Sequence, residues 1–314
     1  MSDIAVRTSA LTRDFPSVRA VDGLSLEVPR GIVFGFLGPN GSGKTTTVRL
    51  LLGLLEPTAG SAEVLGFDVV HEPAEVRRRC GALMEHNGLY ERLTAEENLR
   101  FFADVWHVPR AERDVRIREL LEHLGLWERR QDVVGGWSRG MKQKLAVART
   151  LLHRPQVVFL DEPTAGLDPV AGAALRDDLA SLVAEDGATV FINTHHLDEA
   201  ERLCARVGVI REGRLLAVGH PDELRARHGG GRLEIVGSGF GGEMLSALRL
   251  RPEVASATVA NGRLTIELTA EGEVPPLVAA VVELGGRIEE VRRGAESLED
   301  AFLALLTEAG TDAA

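Results

Sequence analysis

The chain has 314 residues, 44 % of them hydrophobic and 26 % charged, with a net charge of −11 from 36 basic and 47 acidic side chains. That is enough material for a sizeable core in one large domain or two. The acidic balance disfavours DNA, RNA and anionic lipid as partners, and 4 % aromatic residues leave little surface for stacking single-stranded bases.

Cys80 and Cys204 are the only cysteines and have neither metal spacing nor a disulfide framework, so both read as small core residues in a reducing compartment. Met1-Ser2-Asp3-Ile4 lacks the basic and apolar regions of a signal peptide. No apolar run approaches the ~20 residues that span a bilayer, so the chain is not expected to cross a membrane by itself.

In chain order, residues 4–30 read as short antiparallel strands with turns at Val21-Asp22-Gly23 and Pro29-Arg30-Gly31. Phe15 is either a core aromatic or a ring stacked on a purine base; the residues alone leave both open.

The apolar run 32–37 then leads into Gly38-Pro39-Asn40-Gly41-Ser42-Gly43-Lys44-Thr45-Thr46 and an apolar helix. Strand, glycine-rich loop and helix in that order form the P-loop pattern G-x-x-x-x-G-K-[ST]. Glycines let successive N–H groups point into one concavity, and the helix N-terminus adds partial positive charge, so a polyphosphate fits there. Lys44 would reach the β- and γ-phosphates, and the Thr45 hydroxyl would ligate Mg²⁺. A nucleotide site is expected.

A strand over 61–67, a short helix near 76–79 and a strand around 81–84 follow. Thr94 and Glu97 form a capping box, and helices near 95–106, 111–124 and 139–153 read as a helical insertion, about 94–153, into an α/β core. The continuous apolar run 157–160 is that of a strand buried on both faces of a parallel sheet. It ends in Asp161-Glu162: Asp161 is placed to hold Mg²⁺, and Glu162 to take a proton from an attacking water.

Ser138-Arg139-Gly140-Met141 opens the third insertion helix with Arg139, Lys142 and Lys144. Positive charge at a helix N-terminus is costly unless an anion docks there. Helix 170–184, strand 188–193, helix 197–204 and a hairpin at Glu212-Gly213 complete the core. His195 and His196 follow strand 188–193; on an extended chain adjacent side chains point oppositely, so one is expected to be functional, the other structural, and a shared metal is not expected.

From about residue 231 the order becomes β-α-β-β-α-β plus a last helix: strands 232–236, 254–260, 263–269 and 286–292, and helices 242–249, 274–284 and 297–307. Asn261-Gly262 marks a type I′ hairpin, and Ser297 with Asp300 a capping box. This is a ferredoxin-like arrangement. Gly237-Ser238-Gly239-Phe240-Gly241-Gly242 matches G-x-G-x-x-G, but its surroundings are not a repeated βαβ, so a second nucleotide site is not expected.

Taken together, residues 4–220 resemble the nucleotide-binding subunits of ATP-binding cassette (ABC) transporters. Gly38 to Thr46 match Walker A, Asp161-Glu162 match Walker B with its catalytic base, and Ala165-Gly166-Leu167-Asp168 match the D-loop. His195 matches the switch histidine, Phe15 the base-stacking position, and Ser138 to Met141 the signature motif. The resemblance implies an α/β P-loop NTPase cassette, residues 1–228, with a RecA-like core, an antiparallel β subdomain and the helical insertion. A small accessory α+β ferredoxin-like domain, 229–314, follows.

It also implies ATP and Mg²⁺, with Thr45, Asp161 and Glu85 as metal ligands and Lys44, Glu162 and His195 as catalytic groups. Two copies would sandwich two ATP molecules, Asp168 and the signature motif meeting the partner's nucleotide. A separate membrane permease would then be powered from the inner face of the cell membrane, the chain itself being cytoplasmic.

Two positions depart from the pattern. Arg139 stands where the signature usually has glycine, and Glu85 where the Q-loop usually has glutamine. Residues 297–302 resemble the tail of daunorubicin-type drug exporters. The competing readings are a soluble cassette ATPase acting on ribosomes or nucleic acid, and a P-loop kinase. The first lacks its paired cassettes or coiled coil, and the second does not explain Ser138 or His195.

Overall fold

The computed structural model describes residues 3–228, 232–260, 262–268, 273–294 and 297–311. They fall into two compact units, Met1–His220 and Pro221–Ala314.

In the first unit, β1 (Ile4–Phe15) and β2 (Val18–Pro29) form a long antiparallel pair. The expected turn at 21–23 lies inside β2. Gly23, at φ +61°, absorbs a shift of register between the strands, and the reversal occurs at residues 16–17. Next come β3 (Val33–Leu37) and α1 (Lys44–Leu51), then β4 (Ala59–Val64) and β5 (Phe67–Asp68). The single strand expected over 61–67 is instead a tight hairpin. Leu65 and Gly66 both take left-handed backbone angles, +57° and +85°, as a type I′ turn requires.

Helix α2 (Pro73–Arg79) leads into β6 (Cys80–Leu83), and the helical insertion is α3 (Ala95–Val105), α4 (Arg110–His123) and α5 (Arg139–Leu151). Thr94 and Glu97 close the expected capping box at the start of α3. The core resumes with β7 (Val157–Asp161), α6 (Pro169–Asp186), β8 (Thr189–Thr194), α7 (Leu197–Leu203) and the hairpin β9 (Arg206–Arg211) with β10 (Arg214–Gly219).

Among the described residues of this unit, one sheet has the order β2-β1-β4-β5 and the other β10-β9-β3-β8-β7-β6. In the six-stranded sheet β9, β3, β8, β7 and β6 are parallel, and β10 pairs antiparallel at the edge. Strands β3, β7 and β8 are buried along their whole lengths, which explains the apolar runs 157–160 in β7 and 190–192 in β8; the buried polar residues Asp161, Asn193 and Thr194 fall at the strand ends. Phe191 on β8 sits at the centre, 5.2 Å from Phe34, 5.5 Å from Phe36 and 5.5 Å from Phe159 between ring centroids. Because the strands are in register, β3, β8, β7 and β6 end side by side, with Leu37 opposite Thr194, Asn193 opposite Asp161 and Leu160 opposite Leu83. In parallel sheets that edge is where ligands bind.

The second unit opens with α8 (Pro221–His228), which packs on the closing helix α11 (Leu298–Thr311). That packing places the division at residue 220, ahead of the 228 expected from sequence. Between them run β11 (Arg232–Ser238), α9 (Gly242–Arg249), β12 (Val254–Ala260), β13 (Arg263–Leu268), α10 (Val274–Glu283) and β14 (Arg287–Gly294). The sheet order β12-β13-β11-β14, antiparallel throughout, is that of a ferredoxin-like unit.

Gly262 of the expected hairpin has φ +75°, while Asn261 lies outside the described residues. Ser297 and Asp300 bond reciprocally as a cap. Within 237–242, two glycines are required by the fold itself. A Cβ on Gly237 would stand 2.0 Å from the Arg287 carbonyl oxygen, and Gly239 turns at φ +85°.

Truncating the ring on which the central sheet packs is the severest simple test of this core. Phe191→Ala is expected to cost about 3–5 kcal/mol, read as a lowered urea midpoint with an unchanged slope.

Candidate active site

The site is built at the ends of β3, β6, β7 and β8, where residues distant in sequence become neighbours. The loop after β3 wraps back on itself. Gly41 and Gly43 have φ +81° and +105°, and a Cβ on Gly38 would stand 2.4 Å from the Ile210 carbonyl oxygen and 2.5 Å from Ser42 Oγ. The loop therefore needs glycine at 38 for space and at 41 and 43 for conformation.

Lys44 is the first residue of α1. Its Nζ donates to the carbonyl oxygens of Gly38 at 2.6 Å and Pro39 at 3.1 Å. Burial lowers its pKa, and the nearby charges of Glu162 and Asp161 oppose that shift. Ser42 Oγ is buried at 3 % exposure and has no hydrogen-bond partner among the described residues.

Beside it, Thr45 Oγ1 donates to Asp161 Oδ2 at 2.9 Å, and Asn193 Nδ2 donates to Asp161 Oδ1 at 3.3 Å. Burial raises the Asp161 pKa, hydrogen bonds from Thr45 and Asn193 counter it, and the charges of Glu85 and Glu162 raise it further. Asn193 Oδ1 has no partner among the described residues.

Glu162, the next residue, has a left-handed φ of +48°, unusual for a side chain of its kind. Its backbone N–H donates to Asn193 O at 2.9 Å, locking that conformation. The carboxylate accepts from the His195 backbone N–H at 3.1 Å and from Thr194 Oγ1 at 3.3 Å, and His195 Nδ1 stands 2.6 Å from Oε1.

His195 and His196 do not point oppositely as expected. The chain bends at His195, and the two rings lie with centroids 4.2 Å apart, tilted by 35°. Each of Glu162, His195 and His196 brings a potential ligand atom within 4.8 Å of the others, on an exposed face.

Lys44, Thr45, Asp161 and Glu162 border a cleft of about 430 Å³, whose lining does not include His195 or His196. Asn40, Gly41, Gly43, Lys44, Thr45, Thr46, Glu85, Asp161 and Glu162, all candidates from the sequence, line it, and so does Arg139, which the resemblance assigns to the nucleotide of a second copy. Val18, Ala20, Met84, Gln143 and Ala165 line it too and were not foreseen. Phe15 does not. It is half-buried with the Arg13 guanidinium 4.8 Å over its ring, and Val18 and Ala20 present β2 to the cleft instead.

Ser138, Gly140 and Met141 also lie off this cleft. Ser138 caps α5 by accepting from the Met141 N–H at 3.3 Å. Arg139 alone of that motif turns inward, its guanidinium lying where a Cβ on Gly166 would be, 2.7–2.9 Å away. Gln143, one turn further along α5, donates to the Pro163 carbonyl oxygen at 2.8 Å, tying the insertion to the loop after β7. Asp168 caps α6 by accepting from the N–H groups of Val170 and Ala171, and these hold its pKa below the usual range.

Thr45, Asp161 and Glu85 offer oxygen donors only, the set a hard divalent cation such as Mg²⁺ takes. With the unsatisfied Ser42 hydroxyl and Asn193 oxygen nearby, the residues fit a polyphosphate bound with Mg²⁺.

Comparison with known proteins agrees with this geometry. Residues 21–165 match the family model described as ABC transporter. The daunorubicin resistance ATP-binding protein DrrA3 of Streptomyces coeruleorubidus is 39 % identical over 308 residues, 97 % of this chain and 96 % of that protein. The bacitracin transport ATP-binding protein BcrA of Bacillus licheniformis is 43 % identical over 223 residues, 71 % of this chain and 72 % of that one.

Among solved structures, an ATP-binding subunit of an ABC transporter superposes with a TM-score of 0.66 at 32 % identity, covering 70 % of this chain and 92 % of its own. An ATP-binding cassette solved as a dimer after hydrolysis, with ADP and phosphate, superposes with a TM-score of 0.63 at 25 % identity, covering 68 % and 98 %. With relatives this similar along nearly the whole chain, the protein belongs to the ATP-binding subunits of the ABC transporter family and is an ATPase.

Proposed function

We propose that this ATPase drives export of a small, drug-like or lipid-like molecule through a separate membrane permease, working as a head-to-tail pair of cassettes. The observation that carries the catalytic part is the fixed carboxylate of Glu162. Three contacts from Thr194 and His195 and a locked left-handed backbone aim it beside the cleft.

In this reading the N–H groups of 38–45 and the Lys44 ammonium take the β- and γ-phosphates of ATP, Lys44 giving up its contacts with Gly38 and Pro39. Thr45, Asp161 and Glu85 would hold Mg²⁺, which supplies charge neutralisation when bound. Glu162 takes a proton from the attacking water while His195 holds the carboxylate in place and senses the γ-phosphate. Because Ser138, Gly140 and Met141 lie off their own cleft, their role in this reading is toward the nucleotide of a second copy, with Asp168 at the same junction. Phe15 keeps its base-stacking role only if Arg13 leaves its ring.

The export reading draws on the relatives, named for daunorubicin, bacitracin and linearmycin resistance or transport. Among the described residues no helix is long and apolar enough to cross a membrane. The conduit is assigned to a separate permease and this chain to the membrane's inner face, on the strength of the relatives' resistance and transport names. The second unit is assigned an accessory role.

Lys44→Ala should abolish phosphate release from ATP; retained turnover would remove the loop from the mechanism. Glu162→Gln should retain ATP binding, lose at least about 10²-fold in turnover and run as a dimer on size exclusion with ATP. A monomer at saturating ATP would refute the sandwich. Arg139→Gly should keep turnover within about an order of magnitude. For export, co-expression with a candidate permease, a chain with about six apolar spans of ~20 residues, should lower cellular accumulation of daunorubicin used as the probe, and Glu162→Gln should cancel that effect. Unchanged accumulation with the active pair would refute the transport reading.

A further inference from the structure

Glutamate at position 85 places a third carboxylate on a cleft wall that already carries Asp161 and Glu162. The polyphosphate proposed to enter is strongly negative, so an uncompensated Glu85 would oppose it. Compensation is present. Arg49 lies on α1 one turn after Thr45, so both project from the same side of the helix. Its Nη2 donates to both Glu85 carboxylate oxygens, at 3.1 and 3.0 Å. α1 therefore presents a hydroxyl to Asp161 and a guanidinium to Glu85.

We propose that Arg49 is the positioning residue that lets glutamate serve at position 85, holding its carboxylate at the cleft wall and cancelling its charge against the incoming nucleotide. This rests on the assignment of the cleft to Mg²⁺ and ATP. The pair replaces an amide, which would be neutral and self-sufficient, by two charges that depend on one another. Arg49 does not itself line the cleft, so its effect on nucleotide passes through Glu85. Both side chains are about half exposed, 45 % and 49 %, so the effect is a modest one.

The test uses the full chain with Arg49→Gln, Arg49→Lys, Glu85→Gln and the Arg49→Gln/Glu85→Gln double variant. ATP affinity with Mg²⁺ is measured by equilibrium titration, and KM and kcat by phosphate release. Arg49→Gln should weaken ATP binding about three- to ten-fold and appear mainly in KM, while Arg49→Lys should stay within about two-fold of the unsubstituted chain. In the Glu85→Gln background the same Arg49→Gln change should cost less than about two-fold, because the charge it neutralises is gone.

An equal penalty in both backgrounds would show that Arg49 acts through something other than Glu85 and would overturn the proposal, as would no penalty in either. Tighter binding by Arg49→Gln would also overturn it, showing that Arg49 withholds Glu85 from the metal. Thermal midpoints of all variants separate these outcomes from loss of fold. If the unsubstituted chain fails to bind ATP, the cleft assignment falls and the proposal with it, a result distinct from ATP binding with an equal Arg49 penalty.

Discussion

The hydrogen bond from Thr45 Oγ1 to Asp161 Oδ2, 2.9 Å long, joins residues 116 positions apart and depends on the register of one sheet. Thr45 stands on α1 behind β3, and Asp161 is the last residue of β7. These strands are not neighbours; β8 lies between them, and its Asn193 holds the other Asp161 oxygen. A shift of any of the three by one residue would turn the acid away from the hydroxyl and into the core. The apolar packing of Phe191 against Phe34, Phe36 and Phe159 therefore fixes more than stability: it sets where the two halves of the cation site stand.

That same sheet edge forces a division of labour between adjacent carboxylates. Asp161 ends in the strand, buried at 9 % exposure, with its oxygens taken by Thr45 and Asn193. Glu162, one residue on, cannot continue the strand, and its left-handed turn swings the side chain to Thr194 and His195. An unusual backbone angle at a single residue separates a group suited to hold a cation from one suited to accept a proton.

Most of this could be read from the chain because the chemistry is local in sequence. The glycine loop, the acidic strand end and the histidine after β8 are each contiguous motifs, and burial on both faces makes β3 and most of β7 legible as apolar runs. What was not legible needed either backbone detail or distance. The His195 and His196 rings come together because the chain bends after Thr194, and Leu65 takes a left-handed angle that no glycine announces. Val18 and Ala20 reach the cleft from a strand whose sequence carries no phosphate signal, Gln143 lies one turn beyond the charged start of α5, and Arg49 meets Glu85 only through the packing of α1 beside the end of β6. Phe15, positioned by motif alone, has its ring covered by Arg13.

Charge explains why the two departures from the family pattern are tolerable together. The cleft of one chain holds three carboxylates, Glu85, Asp161 and Glu162, against Lys44, before any nucleotide arrives. Arg49 offsets Glu85 from outside the cleft, and Arg139 contributes a second cation from the insertion, lying against Gly166, where its guanidinium occupies the space a Cβ would take. Gly166 itself sits at φ +76°, a conformation that favours glycine. With Arg139 present the lining sets two cations, Lys44 and Arg139, against the three carboxylates, so the charge added at position 85 is offset by the one added at 139. Each stands on a different segment, so the balance depends on the insertion and the core keeping their mutual placement. The Gln143 bond to the Pro163 carbonyl oxygen joins those two segments directly, carrying the helix that bears Arg139 to the loop that follows Glu162.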